Sequence, residues 1–134
     1  MINPRVKTIL FVDDDEVNNF VLHTKLESHA PEVKTSFHDT ASSAIEYLKA
    51  QIAEGNFLDL IFLDVKMPGM SGFDFLEEYH QRNWHDDLPT KIFMLSSSIT
   101  EQDREDSLKY PAGMEFINKP LTLEHIDKLS DRYF

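Results

Sequence analysis

The chain has 134 residues, 41% of them hydrophobic, which is the size of one ordinary globular domain with a single core. Its 13 Lys and Arg against 24 Asp and Glu give a net charge of -11, which would repel the phosphate backbone of nucleic acids. The absence of cysteine excludes disulfides, thiol catalysis and thiolate zinc sites. No apolar run reaches the roughly 20 residues of a membrane-spanning helix, and residues 1–7 lack the features of an export signal. We therefore expect a soluble cytoplasmic domain that binds neither nucleic acid nor membrane.

Short apolar runs rich in branched residues alternate along the chain with segments of helical spacing. The apolar runs predict five strands, at residues 8–12, 33–37, 58–63, 91–95 and 114–117. The intervening segments predict five helices, which start near Glu16, at Asp39 or Thr40, and near Phe73, Thr100 and Thr122. Strict alternation of strand and helix is typical of a doubly wound α/β fold, a parallel sheet with helices on both faces. We expect residues 1–134 to form that one domain, with no output domain.

Two of the predicted helices depart from a simple amphipathic pattern. The fourth, residues 100–109, carries the charged segment EQDRED, and only Ile99 and Leu108 are available to anchor it, so we expect it to be weakly held. The first helix contains more apolar residues than one packed face requires: Val17, Phe20, Val21, Leu22 and Leu26. Phe20 therefore either packs on a neighbouring loop or stays free for contact with a partner.

Polar residues follow four of the predicted strands at their carboxyl ends, the edge at which ligands bind to an open parallel sheet. In chain order these residues are Asp13, Asp14 and Asp15, then Asp64, then Ser96, Ser97 and Ser98, and finally Asn118, Lys119 and Pro120. Carboxylates about 4 Å apart repel by roughly 4 kcal/mol per pair at an effective dielectric constant near 20, so the acidic residues call for a cation or for raised pKa values. Oxygen ligands without Cys suit Mg2+, with Mn2+ as an alternative. Asp64, beside such an ion and opposite a lysine and hydroxyls, is suited to attack a phosphorus atom.

Each of these residues has a simpler interpretation when taken alone. Residues 13–15 are suitable caps for the first helix, residues 96–98 for the fourth, and Lys119 is an ordinary surface lysine. Their joint position at one edge of the sheet favours the chemical interpretation.

Four segments, FVDDDEVNN, LIFLDVKMPGMSGFDFL, MLSSS and FINKPLT, resemble the signature segments of bacterial response-regulator receiver domains. They occur in the family's order, each at the end of the corresponding strand, and together they span nearly the whole chain. The resemblance implies a CheY-like, flavodoxin-like sheet with strand order 2-1-3-4-5. It also implies a phosphoacceptor switch of a two-component phosphorelay, a signalling domain rather than an enzyme that acts on external substrates.

The resemblance assigns roles to individual residues. Asp64 corresponds to the phosphoacceptor, and the metal ligands correspond to Asp13, Asp14, Asp64 and the backbone carbonyl of Lys66. The residues that bind phosphate or change conformation on phosphorylation correspond to Ser96, Ser97, Lys119 and Phe116, and the Lys119-Pro120 bond is expected to be cis.

Phe116 stands where the family often has Tyr, which predicts a looser switch. Lys66 carries an ammonium group two residues after the phosphoacceptor, from which we expect a long-lived phosphoryl group.

The resemblance also implies partners. A histidine kinase or histidine phosphotransfer protein would donate the phosphoryl group, and an unknown protein would read the signal from the fourth helix, the fifth strand and the fifth helix. The domain would be a monomer or a phosphorylation-dependent dimer.

Two other functions fit less well. A haloacid-dehalogenase-type phosphatase needs an Asp where Lys66 stands, and the DDDE segment would repel the phosphate of FMN in a flavodoxin-like carrier.

Overall fold

The computed structural model describes residues 1–134 and contains one sheet of five parallel strands. The strands are β1 (Thr8–Val12), β2 (Lys34–His38), β3 (Leu60–Asp64), β4 (Lys91–Ser96) and β5 (Gly113–Asn118). Their order in the sheet is β2-β1-β3-β4-β5, and every neighbouring pair is parallel. The predicted doubly wound fold and its strand order are therefore confirmed.

Six helices cover the sheet, one more than predicted. They are α1 (Glu16–His29), α2 (Ala41–Ala53), α3 (Gly72–Gln81), α4 (Trp84–Asp87), α5 (Glu101–Ser107) and α6 (Leu123–Tyr133). The additional helix is the single turn α4, which is separate because Asn83 takes a left-handed φ of 60° between it and α3. The fourth and fifth predicted helices are thus α5 and α6. None of the six has both the length and the apolar character needed to cross a lipid bilayer.

Five of the helices have an N-cap residue with a hydroxyl or carboxylate side chain. The capping residues are Asp15, Thr40, Ser71, Thr100 and Thr122. In each case the side-chain oxygen accepts a hydrogen bond from the backbone amide three residues further on, which satisfies one of the free amides of the first turn. The segments between the strands and the helices therefore contain capping residues in addition to the polar residues at the edge of the sheet.

Successive residues of the central strands point to opposite faces and enter two separate cores. One core contains Leu10, Val12, Ile61, Leu63, Ile92 and Met94, together with residues of α2 and α3. The other contains Ile9, Phe11, Leu60, Phe62, Phe93 and Leu95, together with residues of α1 and α6. All five residues of β3 are buried, so Asp64 at its carboxyl end is held by packing on both faces of the sheet.

Two expectations about exposed apolar residues are corrected. Leu108, expected to anchor the charged helix, is 82% exposed and lies outside both cores. Phe20 does not pack on a neighbouring loop, since its side chain is 71% exposed on α1. The apolar face of α1 that does pack consists of Leu22 and Leu26.

Candidate functional site

Three carboxylates meet at the carboxyl edge of the sheet. Asp13 follows β1, Asp64 ends β3, and the register that pairs Val12 with Leu63 brings the two strand ends side by side. One oxygen each from Asp13, Asp14 and Asp64 lies within 4.8 Å of the others. Asp13 and Asp64 are buried, at 3% exposure each, whereas Asp14 is exposed. The site therefore has two carboxylates that are buried and one that solvent can reach.

Lys119 connects two of these carboxylates. Its Nζ donates hydrogen bonds to Asp13 Oδ1 at 3.1 Å and to Asp64 Oδ2 at 2.9 Å. The lysine follows β5, two strands away from Asp64, and its backbone amide donates to the Ser96 carbonyl at 3.0 Å. The bond between Lys119 and Pro120 is cis. The last strand of the sheet thus places the ammonium group over the end of the central one.

The electrostatics of the site show a shortage of positive charge. The pKa of Asp64 is raised from 3.8 to about 6, mainly by burial; the hydrogen bond from Lys119 lowers it in part, and the charge of Asp13 adds to the rise. Burial lowers the pKa of Lys119, but its hydrogen bonds to Asp64 and Asp13 outweigh that effect, so the net shift is upward. One ammonium group faces three carboxylates, and the remaining negative charge matches a divalent cation. Three carboxylate ligands suit the oxygen preference of Mg2+, so these residues fit such an ion.

Backbone groups fix the orientation of both buried carboxylates. The Asp15 amide donates to Asp13 Oδ1 at 3.0 Å, and the Lys66 amide donates to Asp64 Oδ1 at 3.2 Å. The side-chain amide of Asn19 donates to the Asp13 carbonyl at 2.9 Å and so ties α1 to the site. Because these donors are already in place, the carboxylates need no reorganisation before they accept a ligand.

The residues expected to respond to phosphate surround the carboxylates on the neighbouring strands. Ser96 is buried at the end of β4, and its hydroxyl donates to the Ser98 carbonyl at 3.0 Å instead of to Asp64. Ser97 is exposed in the loop that follows. Phe116 is half-buried on β5, where its ring meets the edge of the Phe73 ring at a centroid distance of 6.5 Å. The structure therefore joins Asp13, Asp14, Asp64 and Lys119 directly and arranges the other three around them.

The side chain of Lys66 has a definite position that the sequence did not predict. Its Nζ donates to the Ser98 carbonyl at 2.9 Å and lies 3.7 Å from Asp103 Oδ2. Asp103 on α5 was not among the candidate residues. The spacing of Thr100 and Asp103 matches a capping box and therefore indicates the start of a helix. Nothing in the sequence indicates that the Asp103 carboxylate is buried.

Gly72 is a second residue that sequence reasoning missed. A Cβ atom at this position would lie 2.6 Å from the Asp64 carbonyl oxygen and 2.6 Å from the Val65 Cα. The first turn of α3 therefore packs directly on the backbone of the candidate phosphoacceptor, which only glycine permits. The signal was the glycine that follows the capping Ser71 in MPGMSGF.

The sheet order and the carboxylates at its edge place the chain in the class of doubly wound α/β domains with an acidic cluster at the carboxyl ends of the strands. Within that class it belongs to the response regulator receiver domain family, whose model matches residues 9–130. Members of this family are signalling domains of two-component phosphorelays, not conventional enzymes, and generally bind Mg2+ at an acidic pocket. The family membership decides against the phosphatase and FMN-carrier alternatives.

Individual relatives agree with this assignment. The chain is 31% identical over 127 residues to hybrid signal transduction histidine kinase L of Dictyostelium discoideum, covering 93% of this chain but only 7% of that protein. A two component response regulator from Cytophaga hutchinsonii superposes with a TM-score of 0.81 at 23% identity, over 96% of both chains. The receiver domain of Saccharomyces cerevisiae Ssk1, crystallised with the histidine phosphotransfer protein Ypd1, has a TM-score of 0.77 at 21% identity, over 96% of this chain and 88% of that one. At these identities the two structures show a shared fold.

Proposed function

We propose that this domain accepts a phosphoryl group on Asp64 from the phosphohistidine of a histidine kinase or phosphotransfer protein, and then signals through protein contact. The observation that carries the proposal is the position of Asp64. Its carboxylate is buried at the end of the central strand, within reach of two further carboxylates and hydrogen-bonded to an ammonium group. This combination provides a nucleophile and the charges that a phosphoryl group requires.

The residues suggest how the transfer proceeds. An oxygen of Asp64 forms the new P–O bond while the P–N bond to the donor imidazole breaks, and the bonding electrons leave with that nitrogen. Lys119 already holds Asp64 Oδ2 and can shift to a phosphoryl oxygen without leaving Asp13. A divalent ion, Mg2+ or Mn2+, bound by Asp13, Asp14, Asp64 and the Lys66 carbonyl would neutralise phosphoryl oxygens. The backbone amide of Lys66 keeps the carboxylate oriented throughout.

The switch would begin at Ser96. Its hydroxyl can rotate from the Ser98 carbonyl to a phosphoryl oxygen, with the exposed Ser97 beside it as a further phosphate contact, and Phe116 on the adjoining strand can then repack. Phe116 has no hydroxyl group to fix either rotamer, which supports a loose switch between two packings. The readout surface is α5, β5 and α6, where Leu108 and Met114 are exposed.

An apolar surface on α1 is suited to the phosphodonor. Val17, Phe20 and Val21 are exposed on this helix, whose Asn19 is bonded to the backbone of Asp13. Exposed apolar side chains grouped on one helix indicate a contact surface. The Ssk1 receiver in complex with Ypd1 supports a phosphotransfer protein as the occupant. We expect Phe20→Ser to slow transfer from a phosphotransfer protein and to leave phosphorylation by small phosphodonors unchanged.

Intact-mass spectrometry after incubation with acetyl phosphate or phosphoramidate and Mg2+ tests the proposal. The expected result is one phosphoryl adduct that is lost in Asp64→Asn and in EDTA. Asp131→Asn, which removes an exposed carboxylate far along α6, is the matched control and should keep the adduct. Absence of the adduct despite measured Mg2+ binding would contradict the proposal.

Size-exclusion chromatography of the phosphorylated and unphosphorylated protein distinguishes a constant monomer from a phosphorylation-dependent dimer.

A further inference from the structure

Helix α5 is attached to the rest of the domain by a carboxylate. Asp103 is the one buried residue of the helix, with 8% exposure, and no apolar side chain of Glu101–Ser107 enters a core. A buried carboxylate destabilises the fold unless hydrogen bonds and a cation compensate for the lost water. The partners of Asp103 therefore decide how firmly α5 is held.

Asp103 has two kinds of partner. Within α5 it forms a capping box, in which its Oδ2 accepts from the Thr100 amide at 3.0 Å and its own amide donates to Thr100 Oγ1 at 3.0 Å. These bonds begin the helix but attach it to nothing else. The positive charge comes from Lys66, whose Nζ lies 3.7 Å from Asp103 Oδ2 and is the one Lys or Arg group within ion-pair distance.

Lys66 is also bound to the phosphoacceptor and to the loop before α5. Its backbone amide donates to Asp64 Oδ1, and its Nζ donates to the Ser98 carbonyl. The same carbonyl accepts the hydroxyl hydrogen of Ser96 at 3.0 Å. One acceptor thus holds two side-chain donors, the Ser96 hydroxyl group and the Lys66 ammonium group.

We propose that Lys66 is a latch, which holds α5 through Ser98 and Asp103 and releases it when Asp64 is phosphorylated. This inference rests on the proposed phosphorylation of Asp64. A phosphoryl group adds roughly 1.5 to 2 negative charges and three acceptor oxygens two residues before Lys66. The ammonium group and the Ser96 hydroxyl then both leave the Ser98 carbonyl for phosphoryl oxygens.

When the Lys66 ammonium group leaves, Asp103 loses its ion-pair partner. The buried carboxylate of Asp103 keeps the capping hydrogen bonds but has no cation beside it, and such an unpaired buried charge favours a conformation in which water reaches it. Because no residue of Glu101–Ser107 belongs to a core, the helix itself can shift outward as a unit. Lys66 is 51% exposed, so the ion pair is partly screened and the two positions of α5 differ modestly in free energy.

Hydrogen exchange of the α5 amides in the unphosphorylated protein tests the latch directly. Lys66→Met is expected to accelerate this exchange roughly three- to tenfold, the range for losing a partly buried charged hydrogen bond. The matched control is Lys49→Met, which removes a lysine paired with Glu46 on α2 and should leave α5 unchanged. Unchanged α5 exchange in Lys66→Met would overturn the proposal.

Asp103→Asn separates the charge from the cap. The asparagine keeps an oxygen for the Thr100 amide but removes the partner of Lys66, so adding Lys66→Met to this variant should accelerate exchange less than twofold. An undiminished effect of Lys66→Met in that background would show that Lys66 acts without Asp103, against the proposal.

Phosphorylated protein provides the second arm, with the adduct verified by intact mass. The α5 amides of the phosphorylated parent should exchange as fast as those of unphosphorylated Lys66→Met, and phosphorylation of that variant should add little. If the adduct forms and α5 exchange stays at its unphosphorylated rate, the latch is refuted while the phosphoacceptor role stands. If no adduct forms, the phosphoacceptor role and the release step fail together, and the unphosphorylated comparison reports separately on the contact itself.

Discussion

The Nζ of Lys119 lies 2.9 Å from Asp64 Oδ2, although 55 residues separate the two in the chain. The same ammonium group contacts Asp13 at 3.1 Å, so one positive charge bridges two buried carboxylates from neighbouring strands. This bridge offsets part of the repulsion between the two carboxylates. It also places the ammonium group where the oxygens of a phosphoryl group on Asp64 would need it.

Replacement of Lys119 with Met is expected to slow phosphorylation by small phosphodonors roughly a hundredfold, the typical effect of removing one donor to a transition-state oxygen. The rate is measured from the growth of the phosphoryl adduct by mass spectrometry. Lys128→Met removes an exposed lysine paired with Glu124 and serves as the control. A parental rate in Lys119→Met would rule out a role for this ammonium group in the transfer.

The raised pKa of Asp64 predicts a pH-dependent stability in the absence of metal. A folded-state pKa of about 6 against an ordinary value of 3.8 means that the folded protein holds the proton more tightly, so stability falls as pH rises between about 4 and 6. Asp64→Asn does not titrate and should therefore be more stable than the parent above pH 6, by roughly 1–3 kcal/mol. Lys119 stays protonated throughout this range because its pKa is raised.

Thermal or urea unfolding of Asp64→Asn and the parent in EDTA, at pH 4.0 and pH 7.5, measures this difference. The advantage of the variant should be small at the lower pH and full at the higher one. An advantage that is the same at both values would show that the charge of Asp64 is not its cause.

Mg2+ should stabilise the domain and do so less at low pH. An ion that binds only the folded state at 100 times its Kd contributes about 2.7 kcal/mol. Protonation of Asp64 competes with the ion, so the stabilisation should decrease as pH falls through about 6. Asp13→Asn should abolish most of the Mg2+-dependent rise in Tm, and Asp131→Asn should not. A Tm that Mg2+ leaves unchanged at pH 7.5 would contradict a cation site at these carboxylates.

Gly72→Ala should impair both stability and the site. Its new Cβ would overlap the backbone of Asp64 and Val65, so we expect a loss of roughly 1–3 kcal/mol in the free energy of unfolding and slower phosphorylation. Gly55→Ala is the informative comparison, because its φ of 77° causes strain although no atom lies within 4 Å of the added Cβ. That variant should lose stability and keep the parental phosphorylation rate. Equal effects on phosphorylation would mean that the contact with Asp64 is irrelevant.

Lys66→Asn should shorten the lifetime of the phosphoryl group severalfold. The expected cause is the loss of an ammonium group that neutralises phosphoryl oxygens and obstructs the attacking water. The decay of the adduct after removal of the phosphodonor measures the lifetime. Dephosphorylation at the parental rate would show that Lys66 has no part in protecting the phosphoryl group.

Local rules were sufficient for the elements and for the residue types at the strand ends. Strand and helix periods depend on residues a few positions apart, and the capping oxygens of Asp15, Thr40 and Ser71 act three residues along the chain. The strand order followed from the resemblance to a family and not from these periods. The single additional helix escaped prediction because it depends on one left-handed residue, Asn83, which a local pattern does not require.

Tertiary structure alone decided which side chains are buried and which distant groups meet. Leu22 on α1 and Leu108, which follows the last residue of α5, are the same residue type, yet Leu22 is buried and Leu108 is exposed, because the packed sheet determines which positions are covered. The contacts of Lys66 with Ser98 and of Lys119 with Asp64 join residues 32 and 55 positions apart. Such contacts form when parallel strands bring their carboxyl ends to one edge. The order of amino acids places these polar groups at the strand ends, and the register of the sheet decides which of them touch.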